Sequence, residues 1–159
     1  MKVRNIHSRV ISQPKANLKE LFYTLASEED RIWPVQKWPR MKFKEGLMEG
    51  AVGGHGPISY TIQQYIPGEF IRFNFLRPEG FDGFHQLELI ELAPDQTEIK
   101  HSIEMNARGV GILSWSLGIR WLHDALIEDA FDQVENQFSE QKKTTEWNWW
   151  VKFLRYVLK

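Results

Sequence analysis

The 159-residue sequence predicts an α+β fold in which a curved antiparallel sheet wraps around a long C-terminal helix, with an extra short amphipathic helix at the end. Three observations predict it. A strand and a short helix open the chain, hydrophobicity then alternates with period two over residues 45–107, and a long segment of helical period follows. A sheet curled onto a helix in this order tends to enclose space, so a cavity is expected between them.

Each element has its own justification. Residues 2–11 alternate as a strand. Pro14 suits a first helical position, where its missing N–H would have no partner anyway. Leu18, Leu21, Phe22 and Leu25 then recur at helical spacing, up to Ser27 and the charged run Glu28-Glu29-Asp30. Residues 31–43 contain Trp33-Pro34 and Trp38-Pro39. Each proline biases its predecessor away from helix, which predicts an aromatic-rich, mostly irregular connection. Turn residues at Gly53-Gly54-His55-Gly56-Pro57, Pro67-Gly68, Pro78-Glu79-Gly80 and Pro94-Asp95 divide residues 45–107 into five meander strands. Gly109 and Gly111 break the alternation, Ser114 or Ser116 offers a cap, and the long helix is expected to run to about Gln141. Residues 1–141 are thus expected to form one domain, and residues 142–159 a linker and an aromatic, basic C-terminal segment.

Composition narrows the function classes. A chain of this length buries roughly 68–70% of its unfolded surface and can be stable without metal or crosslink. Cysteine is absent, so disulfides and thiolate chemistry are excluded. The formal net charge of −1 argues against nucleic acid as a partner, since phosphate binding needs a basic surface. The opening MKVRNIHSRVIS lacks the continuous apolar stretch of a secretory signal, and no window approaches a membrane span. A cytoplasmic protein is the expectation.

Centring the hairpin turns near Gly54, Gly68, Gly80 and Asp95 predicts which side chains stand side by side. One row takes Gly50, Tyr60, Phe75, His85 and Met105. The next takes Met48, Ile62, Phe73, Leu87 and Ile103, and a third takes Gln64, Ile71, Leu89 and His101. The opposite face, with Arg72, Asn74, Glu88, Lys100 and Glu104, is polar as a solvated face should be. At 100° per residue the long helix turns Ile119, His123, Ile127 and Phe131 inward. Asp124, Glu128, Asp129, Asp132 and Glu135 then face solvent. The candidates for ligand contact are the side chains of the first two rows, His101, the four helix residues, and Trp33 and Trp38 as a lid.

With these elements in place, the chain resembles the START-like superfamily of helix-grip proteins, which includes polyketide cyclases, lipid-transfer domains and plant ligand-binding proteins. The likeness rests on Pro14 opening the first helix and on Asp30-Arg31 followed by Trp33. It rests also on Ile99-Lys100-His101-Ser102-Ile103-Glu104-Met105 closing the meander and Phe131-Asp132-Gln133-Val134 ending the long helix. The resemblance covers residues 2–141 and implies a seven-stranded sheet, whereas the pattern yields six strands. Either residues 31–43 hide another or one of the longer strands is two. It also implies a cavity for lipids, polyketides, quinones or similar apolar molecules. The expected function is therefore binding of a hydrophobic small molecule or lipid as a carrier, sensor or sequestering protein. A cyclase or dehydratase is the alternative, and an interaction protein using the C-terminal helix is another.

For the enzyme alternative, His85 or His123 would act as general base and Tyr60 would steady an enolate. The competing reading is that these buried groups satisfy one another for structural reasons. The proposed register sets His101 roughly 13 Å from His85, too far to share an ion. No other His, Asp or Glu cluster has ligand spacing, so neither metal nor cofactor is expected. No serine lies in a nucleophile elbow.

The last segment, EWNWWVKFLRYVLK, is the strongest local pattern. On a helix, Lys152, Arg155 and Lys159 fall in a narrow polar strip with Asn148, while Trp147, Trp149, Trp150, Phe153 and Leu154 cover much of the rest. Such a segment either lies in a membrane interface or docks on an apolar surface, with Leu117, Trp121 and Leu122 as a landing place.

Overall fold

The structure, a computed structural model, describes residues 1–158. A seven-stranded antiparallel sheet, ordered β1-β7-β6-β5-β4-β3-β2, curls around one long helix. The chain runs β1 (Lys2–Ile11), α1 (Lys15–Phe22), β2 (Lys42–Phe43), β3 (Val52–His55), β4 (Ile58–Ile66), β5 (Phe70–Arg77), β6 (Phe81–Ala93) and β7 (Gln96–Ala107). After β7 come α2 (Val110–Ser114), a π-helical turn (Trp115–Ile119) and α3 (Arg120–Glu135), which together make the long helix. Helix α4 (Trp149–Val157) ends the described chain.

The seventh strand is β2, hidden in residues 31–43. Two residues suffice, because Lys42 pairs with Gly54 and Phe43 with Gly53. Glycine is required there. A Cβ on Gly53 would stand 2.3 Å from the Lys42 carbonyl oxygen, so any side chain would push β2 off the sheet. Residues 45–51 form turns instead of extending β3, and Met48, expected on the inner face, is 50% exposed.

The register differs from the symmetric-turn expectation by two residues. Phe73, rather than Phe75, pairs with His85, and His85 pairs with Ile103. Two local causes act. The β5–β6 connection is centred earlier than Gly80, and a bulge between Glu91 and Ala93 slides β6 against β7 beyond the tight Ala93–Gln96 hairpin. A slip of two keeps every side chain on its face. The apolar inner face therefore survives, while its neighbours change.

The long helix also starts and stops earlier than expected. It begins at Val110 after Gly109 and α3 ends at Glu135. Its acidic side is not solvated, because the sheet curls until the edge strand β1 lies against it. Asn5, His7 and Arg9 share the inward phase of β1 with Val3 and Ile11, leaving Ile6 and Val10 exposed. Arg9 pairs with Glu128, Asp132 and Glu135, and Asp129 and Asp132 are buried. Helix α1, with Leu18, Leu21 and Phe22, packs into the main core with Ile71, Leu89 and Ile99. A second cluster joins Val3, Phe81, Met105 and Trp115 at the other end.

Candidate functional site

Sheet and helix do not fill the space between them. A cavity of about 440 Å³ remains, within the size range of small-molecule sites. The sheet contributes Phe73, Phe75, His85, Leu87, His101 and Ile103. The long helix contributes Trp115, Ile119, His123, Ile127, Ala130 and Phe131. Trp33, Trp38 and Pro39 close it from the β1–β2 side, and His55, Gly56 and Pro57 from the β3–β4 turn. The π-helical turn widens the backbone where Trp115 and Ile119 reach the wall.

Not every candidate reaches this wall. Tyr60 and Ile62 are fully buried in the core behind it, and Met105 belongs to the second cluster. Met48 is on the surface. Tyr60 is turned away by a 3.0 Å hydrogen bond between its hydroxyl and His55 Nδ1, so its ring, not its hydroxyl, meets His85 at 4.8 Å.

The loop that carries both tryptophans is pinned by one carboxylate. Asp30 accepts backbone N–H bonds from Ala26, Ile32 and Trp33, and burial pushes its pKa up against the pull of those bonds. Trp33 donates to the Pro39 carbonyl at 2.9 Å, and Trp38 to Asp129 at 2.8 Å. Both indoles are 6% exposed, packed as core yet bordering the cavity.

All five histidines of the chain lie along one line. His55 meets Tyr60, Tyr60 meets His85, and His85 Nδ1 stands 3.3 Å from His101 Nε2. The separation of roughly 13 Å expected for the last pair is thus overturned by the register slip. His101 pairs across the sheet with His7, and the His123 ring on α3 sits 4.9 Å from His101. His7 then bridges Glu128 (2.8 Å) and Asp124 (3.0 Å).

Electrostatics divide this line in two. Burial holds His85 and His101 well below the ordinary histidine value, and neighbouring imidazoles add to the effect. Burial also lowers His123, against the pull of Asp124. Burial opposes the His7 proton, but hydrogen bonds to Asp124 and Glu128 outweigh it and raise the pKa. The inner end of the line is therefore neutral and the outer end ionic. Four ring nitrogens on the inner part, His85 Nε2, His101 Nδ1 and both of His123, are buried without a hydrogen-bond partner among the described residues.

Neither His7 nor His55 is singled out by periodicity. His7 sits in a strand whose two phases are equally apolar, Ile6 and Val10 on one against Val3 and Ile11 on the other, and His55 looks like part of a glycine-rich turn. Only the curl of the sheet unites them.

The C-terminal segment docks on the domain through one face. Trp147 donates to Asp129, Trp150 to the Leu117 carbonyl, and Val151 is buried. Arg155 lies over Trp38 at 4.6 Å and donates to the Lys37 carbonyl. Arg155 and Leu158 border the cavity. Lys152 and the outer face, with Trp149 76% and Tyr156 79% exposed, are free of the domain, while Phe153 and Leu154 are less exposed. Lys159 lies outside the described residues. Among the described residues, no helix is long and apolar enough to cross a membrane.

No family model and no curated protein matches the sequence. Solved structures do match. A solution structure from Thermobifida fusca aligns with a TM-score of 0.65 at 10% identity, covering 90% of this chain and 99% of that one. CalU16 from Micromonospora echinospora gives 0.58 at 17% identity, covering 87% and 78%. Norcoclaurine synthase from Thalictrum flavum, in complex with dopamine and hydroxybenzaldehyde, gives 0.61 at 11% identity, covering 88% and 91%. At such identities the likeness establishes the helix-grip fold, and nothing about the chemistry.

Proposed function

We propose that this protein binds a largely apolar small molecule or lipid carrying at least one hydrogen-bonding group, as a carrier, sensor or sequestering protein, and that it belongs to the START-like superfamily. The observation that carries the reading is the largely apolar cavity of about 440 Å³, lined in part by His85, His101 and His123, each of which keeps a buried ring nitrogen without a hydrogen bond among the described residues. Buried polar atoms cost free energy unless they are paired. A guest whose carbonyl, hydroxyl or phenol meets these imidazoles removes that cost, while its apolar body fills the space. Trp33 and Trp38 give the wall rigid aromatic surface on the side of the loop that precedes β2.

The lowered pKa values favour binding over proton abstraction. A general base works best with a pKa near the operating pH, and His85 and His101 are held well below theirs. Neutral imidazoles still donate and accept hydrogen bonds, so they orient a guest without titrating. The exposed aromatic face of α4, beside the cavity mouth, suits delivery at a cytoplasmic membrane surface.

Native mass spectrometry of the purified full chain tests the proposal. A retained small molecule is expected, and displacement of an environment-sensitive fluorescent probe should weaken in His85→Phe and His101→Phe. A chain that retains nothing and binds no apolar probe would remove the proposal.

A further inference from the structure

The seam between β1 and α3 holds a constellation of which only His123 also lines the cavity of the proposed guest. His7, His123 and Asp124 each offer one ligand atom, and all three atoms lie within 4.8 Å of one another. His7 Nε2 stands 3.0 Å from Asp124 Oδ1, and His123 Nδ1 stands 3.5 Å from the same oxygen. Donors held about 2.0–2.1 Å from a tetrahedral ion stand about 3.3 Å apart. The two spacings bracket that value.

We propose that His7, Asp124 and His123 form a binding site for a divalent first-row transition ion, Zn²⁺ being the ion that best fits the donors. Two imidazoles and a carboxylate suit such ions, whereas Ca²⁺ and Mg²⁺ favour all-oxygen shells. Two further observations distinguish the seam from an ordinary ion pair. Both ring nitrogens of His123 are buried and make no hydrogen bond among the described residues, the nearest partner being Asp124 Oδ1 at 3.5 Å from Nδ1. The surroundings are those of a metal site. The other nitrogen of His7 meets the Glu128 carboxylate at 2.8 Å, an arrangement that fixes the ring of a metal-bound histidine, and Asn5 donates to Asp124 Oδ1 at 2.9 Å. Arg9 in turn pairs with Glu128. His123 also lines the cavity, so the ion sits at its edge. Three protein donors leave a coordination position open, as in catalytic zinc centres. The sequence conceals the set because His7 and Asp124 are 117 residues apart.

The test uses the tag-free full chain, stripped with chelator and titrated with ZnCl₂ alone by calorimetry. One equivalent binding at micromolar affinity or tighter is expected, with visible d–d bands of low-coordinate character when Co²⁺ is used instead. His7→Gln, His123→Ala and Asp124→Asn should each abolish stoichiometric binding. Glu128→Gln should weaken it about 10- to 100-fold by freeing the His7 ring, and the exposed Asp82→Asn should leave it unchanged. Circular dichroism establishes which variants fold, and the Co²⁺ spectrum of wild type stands alone if one does not. Wild type that binds no Zn²⁺ and gives no Co²⁺ bands overturns the proposal. So does stoichiometric binding that survives in folded His7→Gln and Asp124→Asn. Because the ion alone is titrated and read out, failure here is separate from failure of the cavity reading.

Discussion

Asp129→Asn is the sharpest probe of how the C-terminal segment is held. The carboxylate side chain is 1% exposed and accepts from three groups: Lys37 Nζ, Trp38 Nε1 and Trp147 Nε1. These come from the lid loop and from the chain leading into α4, so one side chain on α3 joins three parts of the fold. Asparagine keeps one acceptor oxygen but turns an NH₂ donor toward donors. Both indoles bond Oδ2 and Lys37 bonds Oδ1, so the amide keeps its oxygen toward the indoles, now as a neutral acceptor, and its NH₂ faces Lys37. A hydrogen bond to a charged group contributes about 1.5–3 kcal/mol. The Lys37 side chain is 41% exposed and can regain water, so its pair adds no more than about 1 kcal/mol. Two indole bonds that pass from a charged to a neutral acceptor lose about 1 kcal/mol each, so the expected loss is about 1–3 kcal/mol for Asp129→Asn, rising toward about 3–5 kcal/mol for Asp129→Ala, where every donor is stranded.

Urea denaturation followed by tryptophan fluorescence measures this loss, and a double-mutant cycle with Trp147→Phe isolates the indole that belongs to the C-terminal segment. Coupling between the two sites is required, since they share a hydrogen bond. Looser clamping should also speed exchange of a bound probe, because Arg155 and Leu158 border the cavity. A loss under about 1 kcal/mol, or additive single effects, would refute the idea that Asp129 organises this junction.

Three further outcomes follow from the same geometry. Ala130→Phe inserts a ring into the cavity from α3, so probe affinity should fall about tenfold or more while the melting temperature holds or rises; unchanged affinity would locate binding elsewhere. Burial brings His55 down to about 3, with His123 adding, whereas the unfolded chain takes up that proton near pH 6.5. The unfolded state thus binds more protons between these values, so stability falls as pH drops below about 6.5, by about 2 kcal/mol between pH 7 and 5 for this group. His55→Gln should show a shallower decline in pH-dependent denaturation, and an identical slope would contradict the assignment. Full-length protein should co-sediment with anionic vesicles, and serine in place of Trp149 and Tyr156 should release it; equal pelleting of both forms would rule out the outer face of α4 as the contact.

Much of the fold is legible in the sequence because it is written in local periods. Alternation in β4 to β7 and the helical stripe of Ile119, His123, Ile127 and Phe131 each report a buried face, and faces survive a register error of two. What periodicity cannot report is closure. The two-residue β2 exists only because Gly53 lets the Lys42 backbone approach, and the bulge near Leu92 decides which histidines touch. The acidic side of α3 reads as solvated because its partners, Asn5, His7 and Arg9, lie on a strand more than a hundred residues earlier.

That closure is also what makes the interior chemically uneven. Strand β1 carries Val3 and Ile11 at its ends and polar residues between them on the same face, so the sheet meets the helix through apolar contacts at both extremities and through charge in the middle. An apolar middle would pack more simply, and buried ionic groups are seldom favourable against hydrophobic replacements. The polar seam instead places anions behind His7 and His123 while the cavity side of the line stays neutral. A guest approaching His85 and His101 therefore meets fixed dipoles rather than a charge. Replacing Asn5, His7 and Arg9 together with their partners Asp124, Glu128 and Asp132 by apolar residues should leave the fold stable or more so, yet abolish the ion site and alter probe affinity. A loss of fold with no change in the binding of any probe by the surviving protein would mean that the seam serves packing alone.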